Sequence, residues 1–570
     1  MNQPTPALVT QRAAQRLPRI ALLLFCAAYL LPGLFGRDPW RNADLTAFGY
    51  MRAMAEGRTS WWAPSLGQLP PETALLPHWI GAWSVQLLGH WLDPALAARL
   101  PFTLLLALTL SLVWYAMFHL ARTDAAQPVP FAFGGEAEPV DYARAMADGA
   151  LLATIATLGL LQLGHETTPE LLQLSLVSLF IWAMSAAPYS RRRVALAVLV
   201  ALPALALSGA PSIATALGLI ALPLSQRSSH ASMRALWPWL VASLLVAALA
   251  ATLTHAWQWR VALREQPAEW LGLLRLLLWF TWPAWPMAVW TLWRWRSHWP
   301  YRHIAIPAST VLIALLSSVL MGGSDRALML ALPGLAILAA FALPTLQRST
   351  GAAIDWFSVF FFSVAGLAVW VIYLSAQTGT PPQPLRNILR LVPGYESEFS
   401  LPALAFAVAG TLAWLWLVRW RTSRHRHPLW KSLVLPASGV ALAWLLLMTL
   451  LLPVLDYGRS TRPLVQQIAR LVPAQACLLA PGLSRTHVAG LEVFGNYQVD
   501  ARSEEDKAAA AKALLPPNPP AVTPMPATCE HLLLLTRTAQ AEAPAGWQLL
   551  AKFHRPVDRG EYFALYRRGS

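Results

Sequence analysis

Charge is scarce in this sequence. Of 570 residues only 12% are Asp, Glu, Lys or Arg, whereas 56% are hydrophobic. A soluble chain of that length cannot clothe its surface with so few polar groups, so composition excludes an ordinary soluble protein. Cysteine is nearly absent. Cys26 lies in the first apolar run, and Cys477 and Cys529 lie in the more polar tail. An oxidising compartment would permit one disulfide between the tail cysteines, although the sequence does not show that they meet. There is no Gly-rich phosphate loop, no paired CxxC motif and no internal repeat. The apolar stretch from Leu17 to Phe35 has no evident small-residue cleavage site, so it reads as a spanning helix rather than a cleaved signal peptide.

What the sequence has in abundance is long apolar runs, which recur from Leu17 to Pro453. Each is long enough to cross a hydrocarbon core as a helix, and none alternates as a barrel strand would. The reading is thirteen spans, near 18–36, 96–120, 146–163, 169–187, 194–208, 211–226, 235–255, 270–293, 304–321, 327–346, 354–375, 400–419 and 432–454. The 194–226 pair is either two spans or a hairpin kinked at Ser208-Gly209-Ala210-Pro211. The net charge of +15 is gathered in the gaps between runs, at Arg191-Arg192-Arg193, Arg294 to Arg302 and Arg419 to Lys431. That placement sets topology and gives no continuous phosphate-binding face, so a nucleic-acid partner is excluded. With the N-terminus in the cytoplasm, alternate gaps carry the basic clusters, except for the mildly acidic 121–145 loop. Thirteen spans then place residues 455–570 outside the cytoplasm.

The expected class is therefore an all-α polytopic membrane protein with a small C-terminal α/β domain. Residues 1–454 form the transmembrane domain, with a long first outside loop at 37–95, and residues 455–570 form the outside domain. In the tail, Pro463 to Leu471 reads as a helix, and Cys529 to Leu535 and Glu561 to Tyr566 as strands. Pro516-Pro517-Asn518-Pro519-Pro520 reads as an exposed turn or linker.

Candidate chemistry gathers on the outside gaps. After the first span comes Arg37-Asp38-Pro39-Trp40-Arg41-Asn42-Ala43-Asp44. Asp followed by Pro is also a helix start, with Asp38 as N-cap, and this reading is favoured for Asp38 taken alone. From Asp44, the spacing of Leu45, Phe48, Met51 and Met54 predicts an amphipathic helix lying in the membrane interface. Glu72, His78 and Trp79 introduce a second interfacial helix. His165, Glu166 and Glu170 fill a short outside gap, where Thr168-Pro169 reads as another helix start. A divalent metal bridging these to Glu72 or Asp38 is left open. The Trp259, Trp270, Trp279, Trp282 and Trp285 cluster reads as an interface belt.

The layout resembles the class C glycosyltransferase fold, in the bacterial branch of aminoarabinose lipid A transferases and protein mannosyltransferase-like enzymes. That group carries an Asp-Glu-x-Arg-Tyr-Ala-like motif after the first span. Asp38, Arg41 and Ala43 match it, while Pro39 and Asn42 depart. Glu72 and Trp79 keep the spacing of its Glu-Lys-Pro to Tyr-Trp motif, with Thr73-Ala74 replacing Lys-Pro. Gly323-Ser324-Asp325-Arg326 before Leu332-Pro333 resembles its basic residue ahead of an apolar helix.

The resemblance implies inverting transfer of a sugar from a polyprenyl-phosphate donor to a lipid A, protein or glycan acceptor, at the outer face of a bacterial inner membrane. Such a reaction needs a carboxylate to take the acceptor's proton and cations to hold the departing phosphate. Asp38 and Glu72 are the catalytic candidates. Arg41, Asp44, His78, Trp79, His165, Glu166, Glu170 and Arg326 are the substrate-binding candidates. Arg260, Arg264, Arg386 and Arg390 are further outside cations. A transporter or flippase is the main alternative, against which stands the scarcity of ionisable residues inside spans, Arg275 being the clearest. An O-antigen polymerase or ligase is the enzymatic rival, and a non-catalytic scaffold also stays open.

Overall fold

The computed structural model describes residues 5–40, 42–258, 261–262, 267–422, 428–503, 529–536, 543–555 and 560–569. Arg41, Trp259, Arg260, Arg264 and the Pro516–Pro520 stretch lie outside them. Seven helices among the described residues are long and apolar enough to cross a membrane: Pro94–Ala121, Pro169–Ala186, Ala231–Leu253, Arg302–Leu320, Ser349–Thr378, Leu401–Arg421 and Lys431–Thr449. Most other apolar runs form shorter or interrupted helices, and the 18-residue helix Pro139–Ala156 carries Asp141, Arg144 and Asp148, so the count of thirteen is not confirmed.

Two of the runs are broken. Helix Pro139–Ala156 stops at Thr157, and Pro267–Phe280 stops before Pro283. The two breaks face each other: Leu158 N–H donates to the Trp282 carbonyl (3.1 Å) and Gly159 N–H to that of Phe280 (2.8 Å). Backbone groups freed at one break are thus satisfied at the other, which is how irregular backbone survives away from water. Gly159 is required there, since a Cβ would lie 2.4 Å from the Phe280 ring. The 194–226 run forms the helices Arg191–Leu207 and Pro211–Gln226, joined at Gly209 with φ +86°.

The first loop, 37–95, is helical but does not lie free at an interface. Helix Ala43–Ala55 buries Leu45, Phe48, Met51 and Met54 as its spacing foretells, and also Asp44, Ala47, Tyr50 and Ala53. It packs between helices Leu75–Leu88 and Arg485–Gly495. A Cβ on Gly49 would come 2.8 Å from the Ala489 Cβ, which shows how closely the C-terminal segment is seated on this helix. The expected Asp38 cap is overturned. The helix begins at Ala43 with Asn42 as N-cap, because the Asp38 carboxylate is engaged elsewhere.

The C-terminal segment follows its sequence pattern. Helix Arg462–Ala469 and strands β1 (Cys477–Leu479), β2 (Gln498–Asp500), β3 (His531–Thr536), β4 (Trp547–His554) and β5 (Tyr562–Arg568) form a sheet ordered β2-β1-β3-β5-β4. β1 is parallel to β2 and β3, whereas β5 is antiparallel to β3 and β4. Helix Arg485–Gly495 makes the crossover from β1 to β2, and a parallel pair needs such a crossover. Cys477 and Cys529 are joined as a disulfide, tying the start of β1 to the residues before β3.

Candidate functional site

A cavity of about 300 Å3 opens where the first loop meets the ends of several long helices. One wall carries Tyr50, Glu72 and His78, another Glu170 and Gln173, and a third Ser324 and Arg326. The hairpin Ser208–Ser212 and Gln258 also line the cavity, as do Thr46, Thr73 and Ser317. Four of the residues singled out from sequence therefore meet here: Glu72, His78, Glu170 and Arg326.

Each is fixed by local structure. Glu72 sits just before helix Leu75–Leu88, and its Oε1 accepts the Thr73 and Ala74 N–H groups at 2.8 and 3.3 Å. Its Oε2 faces Arg485 at 3.4 Å. Burial pushes the Glu72 pKa up, but the His78 ring, those two amides and Arg485 together hold it below the usual glutamate value. His78 is 2% exposed, and its Nδ1 donates to the Ala74 carbonyl. Burial outweighs the attraction of Glu72 and lowers the His78 pKa.

Arg326 stands in the first turn of the short helix Asp325–Met329, whose N-cap Ser324 accepts the Ala327 N–H. Its Nη2 donates to Glu166 at 2.6 Å, and its Nη1 lies 3.5 Å from Glu170. These two carboxylates keep the guanidinium charged against the cost of burial. Arg326 Nη1 and Glu170 Oε2 are both buried without a hydrogen-bond partner among the described residues. Burial, with the nearby Asp44 charge, raises the Glu166 pKa against the pull of Arg326 and Gln162.

The remaining described candidates lie outside the cavity lining. Asp44 is a buried staple: it accepts from the Trp40 N–H, from the Thr167 N–H and hydroxyl at 2.8 and 2.7 Å, and faces Arg37 at 3.5 Å. Burial alone would raise its pKa, but Arg37, Arg99 and Thr167 bring it below the ordinary value. His165 has both ring nitrogens 2.8 Å from the Leu161 and Tyr29 carbonyls and is packed on Trp444. Trp79 donates to the Trp61 carbonyl within a cluster that includes Trp62 and Trp83. Asp38 accepts from Arg462 Nε and Ser460 Oγ, each at 2.8 Å. A polar band continues from there. Arg459 stacks on Trp40 and donates to Gln162, which donates to Glu166 behind Arg326. Arg386 and Arg390 are exposed on helix Pro382–Leu391, away from the cavity.

The proposed metal donors do not form a set. Glu166 and Glu170 are turned to Arg326, and His165 to two carbonyls. Among the described residues no group of three His, Cys, Asp or Glu is placed around one point. Arg485 and Arg462 were not foreseen. They lie over four hundred positions from the carboxylates they meet, Glu72 and Asp38, and no periodicity marks them.

Interrupted apolar helices, a first loop that walls a polar cavity, and a C-terminal segment seated on that loop make up the fold. The chain shares this fold with ArnT from Cupriavidus metallidurans. It is similar to the structure of that protein bound to undecaprenyl phosphate, with TM-score 0.59 and 14% identity over 96% of each chain. It is similar also to the apo structure, with TM-score 0.57 and 14% identity over 96% of each chain. No protein-family profile and no curated protein sequence matches the chain.

Proposed function

We propose that this protein is a membrane glycosyltransferase that moves a sugar from a polyprenyl-phosphate donor to an acceptor by inverting displacement. The observation that carries this reading is the presence of Glu72 and Arg326 in the lining of one cavity. The ionised Glu72 takes the proton from the acceptor hydroxyl as the oxygen attacks the sugar's anomeric carbon. The bond from that carbon to the phosphate oxygen breaks with its electron pair. Arg326, whose Nη1 lies 3.5 Å from Glu170 and has no hydrogen-bond partner among the described residues, then stabilises the released lipid phosphate. Asp38 acts at a distance in this reading, fixing Arg462 and with it the C-terminal segment over the first loop. The similarity to a structure bound to undecaprenyl phosphate supports the donor class.

The orientation follows from the basic gaps: N-terminus in the cytoplasm, residues 455–570 outside, in a bacterial inner membrane. The Cys477–Cys529 disulfide supports an oxidising location for the C-terminal segment. The paired helix breaks do not favour a transporter, because their free backbone groups bond to one another rather than surrounding an ion.

The test is transfer of a radiolabelled sugar from a native polyprenyl-lipid extract to an acceptor fraction. Wild-type membranes are compared with membranes carrying Arg326→Ala at equal protein level. The expected result is wild-type transfer and a loss in the variant dominated by weaker donor binding. Absence of transfer by the wild type across donor extracts would overturn the reading.

A further inference from the structure

A second cavity, of about 380 Å3, lies between the first loop and the C-terminal sheet and shares no lining residue with the first. Its buried floor is Gly67, Glu492, Tyr497 and Val499, and its walls and rim include Arg58, Gln68, Gln475 and Gln498. The charged groups around it satisfy one another. Arg58 bridges Glu56 and Glu492 at 2.7 and 2.9 Å, and Arg52 holds Glu56 and Asn496 at 2.6 and 3.1 Å. Glu492 also accepts the Gly67 N–H at 3.0 Å. What remains free is neutral: the side-chain amides of Gln68, Gln475 and Gln498 have no partner among the described residues.

Two of those glutamines occupy backbone positions that favour glycine. Gln68 has φ +59° and follows Gly67 at φ +56°, in a turn closed by the Leu69 N–H on the Leu66 carbonyl. Two left-handed central residues are the mark of a type I′ turn, whose second central position is ordinarily Gly. Gln475 has φ +65° in the turn Pro473–Ala476, at the position where a type II turn asks for Gly or Asn. Asn496, also left-handed, needs no such account, since it closes helix Arg485–Gly495 in the ordinary way. Strained residues of this kind gather where a side chain has work to do. A glutamine at such a place brings one acceptor and two donors to the cavity mouth.

We propose that this cleft is a binding site for neutral saccharide units, separate from the transfer cavity. Amides presenting both donors and acceptors match sugar hydroxyls, which also do both. Neither a phosphate nor an amine finds an unpaired charge. Use of the cleft to hold part of an acceptor glycan rests on the glycosyltransferase reading, but binding does not require it.

The experiment is calorimetric titration of the full chain in detergent with chitobiose and maltose, repeated on Gln68→Gly and Gln475→Gly. Expected is binding of at least one disaccharide that does not change with salt, since no charge pairing is involved. Each variant loses about tenfold in affinity while its thermal midpoint holds or rises, as glycine relieves the turn. The proposal is overturned if neither disaccharide binds, if both variants bind like the wild type, or if inorganic phosphate displaces the sugar. Because no transfer is measured, failure here is distinct from failure of the enzymatic reading.

Discussion

Replacing Glu72 by Gln isolates the proposed proton acceptor with little other damage. The amide oxygen of Gln still accepts from Thr73 and Ala74, so the turn into helix Leu75–Leu88 is kept. The ion pair with Arg485 is lost, but that guanidinium is 35% exposed and the separation is 3.4 Å, so about 1 kcal/mol at most is forfeited. Loss of a general base, by contrast, lowers kcat by about 10²- to 10⁴-fold. Single-turnover transfer from a polyprenyl-phosphate sugar, with thermal unfolding of the same preparation, separates the two effects. The pH profile adds a second signature. A base must be ionised, so wild-type activity falls as pH drops through the Glu72 pKa, which lies below the ordinary glutamate value. The same lowered pKa makes the group's stabilising contribution present above the unfolded value and lost as pH falls through the folded one. In Glu72→Gln the acid limb from this group is absent. Near-wild-type kcat in Glu72→Gln, together with its collapse in Asp38→Asn, would refute the reasoning and move the base to Asp38.

Asp38→Asn keeps acceptor capacity toward Arg462 and Ser460, so transfer should stay within about tenfold of wild type. Asp38→Ala should release the clamp and cost more, read as kcat and KM on matched preparations. Asp44→Ala should destabilise the protein by about 3–5 kcal/mol in thermal unfolding, because it strands the buried Arg37 and leaves the Thr167 and Trp40 N–H groups unpaired. Replacing Cys477 and Cys529 together by Ala opens a link between residues 52 apart and should cost about 2–4 kcal/mol. Limited proteolysis should show the loss confined to the C-terminal segment.

Much of the architecture was written in local pattern. Apolar runs of membrane length can be read without a partner, because each helix satisfies its own backbone and its side chains need only match lipid. The C-terminal helix and strands were legible for a similar reason, since period and turn residues act over a few positions. The break at Pro283 was not read from the sequence, where 270–293 stands as one span, and neither was its consequence. Only the folded chain shows the Trp282 and Phe280 carbonyls meeting the N–H groups of Leu158 and Gly159.

The candidate site divides along the same line. Glu72, His78, Glu170 and Arg326 were marked by residue type and by falling in outside gaps, and the fold brings them to one cavity. Residue type could not say that Asp44 faces Arg37 and Thr167, that His165 faces two carbonyls, or that Asp38 faces Arg462. A carboxylate's role is set by whichever donors the tertiary structure brings within about 3 Å, and for Asp38 those donors come from the far end of the chain. The sequence by itself determined that the protein lives in a membrane and which side chains could do chemistry at its surface. Which of them face open space, and which are held shut by an arginine, only long-range packing decided.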